Sequence, residues 1–273
     1  MKLSFNSFFC ISILCTLICA QLCASRILCL HGGGGSASSL EYQQGMQDLV
    51  AALPDCEFIF ASSPVSGGVW YDDPPGGGKE PTNDPNWADV SVNYLNNFIE
   101  ANGPFDAILG YSQGVPMSLV YLATGSYDFD NVILFNGYLP TTHTGLISEI
   151  DSNSPFTQSA LIFIAQDDYY FYDMGLELKN KFTSYTELIS TSAGHALPTQ
   201  SDANFQSVVN FLTNLDSSGS GTGDGTGDSS GNLQSFRLNI LQGDDLNNLE
   251  IIDTRIIETS SQNQFFKAEL IPE

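Results

Sequence analysis

The chain has 273 residues, enough for one sizeable domain with an appendage, and 42% of them are hydrophobic, enough for a core of its own. Its 31 acidic and 8 basic residues give a formal charge of −23, which argues against binding nucleic acid or an anionic membrane surface through long-range attraction. Histidine is scarce, and no paired cysteine or histidine spacing suits a metal, so neither metal nor cofactor is expected.

At the start, Met1-Lys2 followed by a mostly apolar stretch to Ala20 reads as a secretory signal over residues 1–24, which predicts a secreted or lumenal protein. Four of the six cysteines fall in that segment. Cys29 and Cys56 remain, each in or beside an apolar run; a buried thiol is the ordinary reading, and one bridge between neighbouring strands is the alternative. No later stretch reaches the ~20 apolar residues of a membrane span, so no integral membrane segment is expected in the mature chain.

Residues 25–215 read as one domain in which strands and helices alternate. An apolar run over 26–30 ends at His31-Gly32-Gly33-Gly34-Gly35, a helical spacing follows over 40–53, and a second strand covers 56–61. Residues 62–87 are too rich in Pro, Gly and Asp for a regular element. They carry Trp70, Tyr71 and Trp87, candidates for a lid or for the wall of a substrate pocket, with anchoring of the loop on the core as the competing reading. A helix is predicted over 88–101, an apolar strand up to Leu109, a helix from Val115, strands over 131–136, 160–165 and 186–190, and a last helix over 200–215. Strands that are apolar throughout, separated by helices, are what a parallel sheet covered on both faces produces. The fold class is therefore α/β, with a mostly parallel sheet of about six strands. Residues 216–231 form a flexible acidic Gly/Ser/Asp linker. Residues 232–273 hold short strand-like pieces, too few to fold reliably alone, and neither their role nor a protein partner for them can be read from sequence.

Chemistry concentrates at Gly110-Tyr111-Ser112-Gln113-Gly114, a G-x-S-x-G placed between a strand and a helix. Glycines on either side let strand and helix approach closely while the hydroxyl is pushed out at the tip. A serine needs a general base, and the base needs an acid to orient it. Of the three histidines, His195 lies on the same edge of the sheet as Ser112, in a loop after a strand, whereas His31 reads as a structural residue of the glycine loop and His143 as an exposed loop residue. Asp167 and Asp168 compete for the acid at the end of the intervening strand; Asp168 is preferred. The backbone N–H groups of Gln113 and of the glycine loop, Gly33 in particular, are the donors expected for an oxyanion.

These residues resemble the FSH-type serine hydrolase family of the α/β-hydrolases. Gly103-Pro104-Phe105-Asp106-Ala107-Ile108-Leu109-Gly110-Tyr111-Ser112-Gln113-Gly114 is similar to that family's signature, and Leu30-His31-Gly32, Ser63-Pro64, Trp70, Gly137 with Pro140, and Gly194-His195 follow in the family's order. The resemblance covers roughly residues 26–215. It implies an α/β-hydrolase fold, a Ser112, Asp168 and His195 triad, and hydrolysis of carboxylic esters or thioesters of short to medium acyl groups through an acyl-enzyme. A binding module that keeps the fold without turnover, and a secreted peptidase or lipase of the same fold, are the alternatives. Ala165 in place of a glycine, the Gly33-Gly34-Gly35 run and the Gly76-Gly77-Gly78 insertion depart from the family pattern.

Overall fold

The computed structural model describes residues 25–76, 80–215, 233–242 and 250–260. The expected signal at 1–24, the linker at 216–231, most of the triple-glycine insertion and the last strand-like piece near Phe265 lie outside them. Near Gly219 the chain divides into two compact units.

The first unit is a six-stranded sheet in the order β2-β1-β3-β4-β5-β6, every neighbouring pair parallel. The strands are β1 (Ser25–Leu30), β2 (Cys56–Ala61), β3 (Ala107–Tyr111), β4 (Asn131–Phe135), β5 (Phe156–Ala165) and β6 (Phe182–Ser190). Their apolar residues alternate between two cores. Leu28, Leu30, Ile108, Leu134 and Ile162 pack against α3 (Asp89–Asn102), α4 (Gly114–Thr124) and α5 (Thr144–Asn153). Ile27, Cys29, Leu109, Phe135 and Phe163 pack against α1 (Ala37–Glu41), α2 (Gln44–Ala52) and α7 (Phe205–Thr213) on the other face. Both faces are thus closed by helices, which is why the central strands carry no polar alternation. A short α6 (Tyr172–Gly175) precedes β6.

Where the element limits differ from expectation, a polar interruption accounts for it. The single helix predicted over 40–53 is two helices, because the chain turns at Tyr42-Gln43 between α1 and α2. Strands β5 and β6 each begin four residues earlier than the apolar runs suggest; β6 forms the sheet's edge, and its first half exposes Thr183, Ser184 and Tyr185. Cys29 and Cys56 are free thiols. Ser25, not Cys29, pairs with Cys56 across β1 and β2, so four residues, about 13 Å of strand, separate the two sulfurs' positions. Burial pushes both thiols above their ordinary pKa.

The family-like Pro104-Phe105-Asp106 segment sits at the beginning of β3, the end of the strand away from Ser112. The Asp106 carboxylate accepts the Arg26 N–H at 2.7 Å, and Arg26 Nη1 donates to Pro104 O at 2.8 Å, with the guanidinium over the Phe105 ring. This clamp joins β1 to β3. The chain enters at β1, steps to β2 on one side and crosses back to β3 on the other, so the carboxyl ends of β1 and β3 flank the point where the strand order reverses. A crevice at that point is the usual binding position in an open α/β sheet.

The second unit contains an antiparallel pair, β7 (Leu233–Gln242) with β8 (Glu250–Ser260), carrying an irregularity between Ile240 and Leu241.

Candidate active site

The turn after β3 places Ser112 in the left-handed region, φ 52°. Such a conformation costs a non-glycine residue about 1–3 kcal/mol and persists only where the surroundings enforce it. Here the Ser112 N–H donates to Phe135 O at 3.0 Å, and its carbonyl accepts the Val115 N–H at 3.0 Å as α4 begins. The following glycine is dictated by packing: a Cβ on Gly114 would lie 2.3 Å from Leu30 O. The glycine loop after β1 also comes close, since a Cβ on Gly32 would lie 3.0 Å from Ser112 Cβ.

Ser112 Oγ is 2.9 Å from His195 Nε2, and His195 Nδ1 is 2.6 Å from Asp168 Oδ2. Asp168 is buried, while the imidazole is a third exposed. Nδ1–H donating to the carboxylate leaves Nε2 as the acceptor facing the serine hydroxyl, the tautomer a general base requires. Asp167, the competing carboxylate, is used otherwise: its Oδ1 accepts the Gly194 N–H at 2.9 Å and holds the histidine loop. Phe171 stacks on the imidazole at 4.6 Å, and Tyr111 donates its hydroxyl to His195 O at 2.7 Å. Among the described residues, neither the Gly33 N–H nor the Gln113 N–H has a hydrogen-bond partner. Both therefore remain available as donors beside Ser112. A cavity of about 190 Å³ opens here, lined by Gly32 to Gly35, Ser39, Gln43, Tyr111, Ser112 and His195. Among the described residues no cluster of His, Cys, Asp or Glu is arranged to hold a metal ion, and no helix is long and apolar enough to cross a membrane.

Trp70 and Tyr71, expected as pocket candidates, do not line that cavity. Trp70 is fully buried: its indole N–H donates to His31 O at 2.8 Å, its backbone N–H to Gln113 Oε1 at 2.9 Å, and its carbonyl accepts the Ser91 hydroxyl. Gln113 Nε2 donates to Tyr71 O at 3.0 Å. The residue after the nucleophile thus fastens the long loop to the turn, and the two aromatics are anchors beneath it. Trp87 joins them, donating its indole N–H to Asp72 O at 2.8 Å.

His143 differs most from its sequence reading. It is buried, not exposed, because it braces the same loop: Nε2 donates to Asp72 O at 3.0 Å, Nδ1 accepts from the Thr142 hydroxyl, and Tyr71 and Trp87 pack around the ring. His31 is also buried. Its Nδ1–H donates to Gly32 O at 2.7 Å, and its Nε2 accepts the Ser63 N–H at 3.0 Å. Desolvation lowers the pKa of both histidines from 6.5.

Asn136 has no counterpart in the sequence reading, where it only closed a strand. It is fully buried with φ 45°, and its Nδ2 donates to Gly194 O at 3.2 Å and Ala196 O at 2.6 Å, the carbonyls on either side of His195. Its Oδ1 accepts the Ala165 N–H at 2.7 Å, three residues before Asp168. One side chain thereby ties the histidine loop to the strand that delivers the acid. The only signal was an asparagine followed by glycine at a strand end, a pair that tolerates left-handed backbone.

This sheet order, strand-to-helix serine and Ser, Asp, His chain order define an α/β-hydrolase. The chain belongs to the family described as serine hydrolase (FSH1), which matches residues 21–206. Among curated relatives, it is 38% identical over 112 residues to esterase alnB of Emericella nidulans, a match covering 38% of each chain. It is 31% identical over 149 residues to hydrolase FUB4 of Gibberella moniliformis, covering 45% of this chain and 51% of that one. An esterase of Caenorhabditis elegans is 31% identical over 132 residues, covering 42% of this chain and 60% of that one. The matches thus span about half the length of these relatives. Solved structures share the fold: Arabidopsis thaliana SOBER1 at TM-score 0.52 and 19% identity, covering 69% of this chain and 97% of that one, and a Bacillus cereus carboxylesterase at TM-score 0.51 and 15% identity, covering 70% and 88%.

Proposed function

We propose that this serine hydrolase is a secreted or lumenal esterase or thioesterase acting on short to medium acyl groups through an acyl-enzyme on Ser112. The observation that carries the reading is the continuous line from Ser112 Oγ through His195 to Asp168, with contacts of 2.9 and 2.6 Å. In this scheme His195 Nε2 takes the hydroxyl proton as Ser112 Oγ attacks the acyl carbonyl. Asp168 fixes the tautomer and stabilises the imidazolium, and the free N–H groups of Gly33 and Gln113 receive the oxyanion. Collapse expels the alcohol or thiol, protonated by His195, and water activated by the same imidazole then releases the acid.

The first test is Ser112→Ala, expected to lower kcat by on the order of 10⁴-fold or more without changing the fold. Labelling of the wild type, but not of the variant, by a fluorophosphonate reports the nucleophile directly. Retained ester turnover in the purified variant would sink the reading, and an unlabelled, inactive wild type would favour a binding module on the same fold. The secretory assignment rests on the amino-terminal sequence; it fails if the mature protein from its native source retains residues 1–24.

A further inference from the structure

The residues after the acid form a tight turn. The Phe171 and Tyr172 N–H groups both donate to Asp168 O, at 3.1 and 2.9 Å, as α6 begins. One turn thereby delivers two groups to His195. The Asp168 carboxylate lies 2.6 Å from Nδ1, and the Phe171 ring lies against the imidazole with centroids 4.6 Å apart and planes 25° from parallel. Phe171 is half-buried and is itself held: Tyr138 stacks on it at 5.1 Å and 17°, and the exposed Tyr170 meets it at a steep angle, 4.8 Å away.

The other neighbours of the imidazole are already committed. Ser112 Oγ faces Nε2 at 2.9 Å, the Tyr111 ring stands 5.4 Å away with its hydroxyl on His195 O, and Asp167 accepts the Gly194 N–H. The imidazole becomes a cation when it takes a proton in the reaction. Asp168 answers that charge in the plane of the ring, through Nδ1–H, and leaves the faces of the ring to other groups. A side chain over one face excludes water, which by itself disfavours the cation. An aromatic ring offsets that loss, because its face is negative and attracts a cation within about 6 Å of its centroid. An aliphatic side chain in the same place excludes the water without compensation.

We propose that Phe171 stabilises the His195 imidazolium during acyl transfer, its π face answering the positive charge from above the ring while Asp168 answers it in the plane. This inference rests on the esterase reading and adds a residue to its mechanism. As Ser112 Oγ bonds to the acyl carbon, the carbonyl electron pair moves onto oxygen and the hydroxyl proton moves to Nε2. The same charge forms when His195 takes a proton from water to release the acid, so either half of the reaction reports it. The neutral resting imidazole gains less from the contact, which therefore favours the transition state and is read in kcat. Phe171 acts through His195 and is a positioning residue.

The experiment replaces Phe171 in the full chain by 4-fluoro-, 3,5-difluoro- and 3,4,5-trifluorophenylalanine, which keep the shape of the ring nearly constant while withdrawing electrons from its face. With a chromogenic acetate ester, kcat is expected to fall stepwise with fluorine number, by about 3- to 30-fold across the series, with KM nearly unchanged. Phe171→Leu is expected to lose at least as much, and circular dichroism reports that each variant is folded. A ring that acts only as packing tolerates the fluorines, so a kcat independent of fluorine number overturns the inference, as does a loss confined to KM or full activity in Phe171→Leu. Wild-type turnover with fluorophosphonate labelling, unchanged across all these variants, defeats this inference and leaves the esterase reading standing. No turnover and no labelling of the wild type defeats both.

Discussion

Ser112 and Asn136 are the non-glycine residues with positive φ among the described residues, and they follow neighbouring strands, β3 and β4. At Ser112 the backbone form serves to present a hydroxyl, so the side chain can be separated from the strain. Gly at 112 should be more stable than Ala at 112 by about 1 kcal/mol, because only glycine adopts this φ freely; urea unfolding of the two inactive variants measures it. Asn136 is read differently, since its side chain spans the loop it stabilises. Asn136→Ala should lower kcat by about 10- to 100-fold with a smaller change in KM, and stability by about 1–3 kcal/mol as Gly194 O, Ala196 O and the Ala165 N–H lose their partner. Steady-state kinetics on the folded variant, beside Asn136→Gly to relieve the φ constraint, checks the first part. Ser112 was legible because a reacting hydroxyl needs glycines around it and an apolar strand before it. Asn136 was not, because its work is done with carbonyls that are adjacent only after folding.

At the scale of elements, the apolar strands were legible almost residue by residue, while the 62–87 loop was legible only as an irregular stretch. Its order comes from partners scattered along the chain: His31 takes the Ser63 N–H, Gln113 holds Trp70 and Tyr71, and His143 donates to Asp72 O. No periodicity encodes such contacts. They do have a pH signature. Burial lowers the folded pKa of His31 and His143 below 6.5, so as pH falls the unfolded chain binds these protons before the folded one does. Stability from these two groups is complete above about 6.5 and is lost as pH falls towards their folded values. Protonated His31 would also set a second donor against the Ser63 N–H. Urea midpoints should therefore drop between about pH 7.5 and pH 5, and drop less in His143→Gln; an equal drop in wild type and variant would remove His143 from this account.

For the whole molecule, the two cores of the first unit are closed by its own helices, with α7 completing the second face. The catalytic groups proposed here and the helices that carry them all lie before Asp216. Removing residues 216–273 should leave the thermal midpoint and ester turnover of the remaining chain nearly unchanged; calorimetry and a chromogenic ester assay on the shortened protein check this. Loss of both would mean that the C-terminal unit supports the hydrolase domain. The family-like segment before Ser112 shows why global resemblance and local chemistry can be read separately. Pro104, Phe105 and Asp106 clamp Arg26 at the far end of the strands, so they mark the fold, whereas the Gly32 to Gly35 run lines the cavity beside Ser112.

The chain has only two tryptophans, Trp70 and Trp87, and both lie in the 62–87 loop, one of them sealed against the carbonyl of His31. Indole emission from this protein is consequently a label-free optical gauge of one segment. A red shift that precedes the loss of helical circular dichroism during a denaturant titration would time the release of that segment separately from the collapse of the sheet.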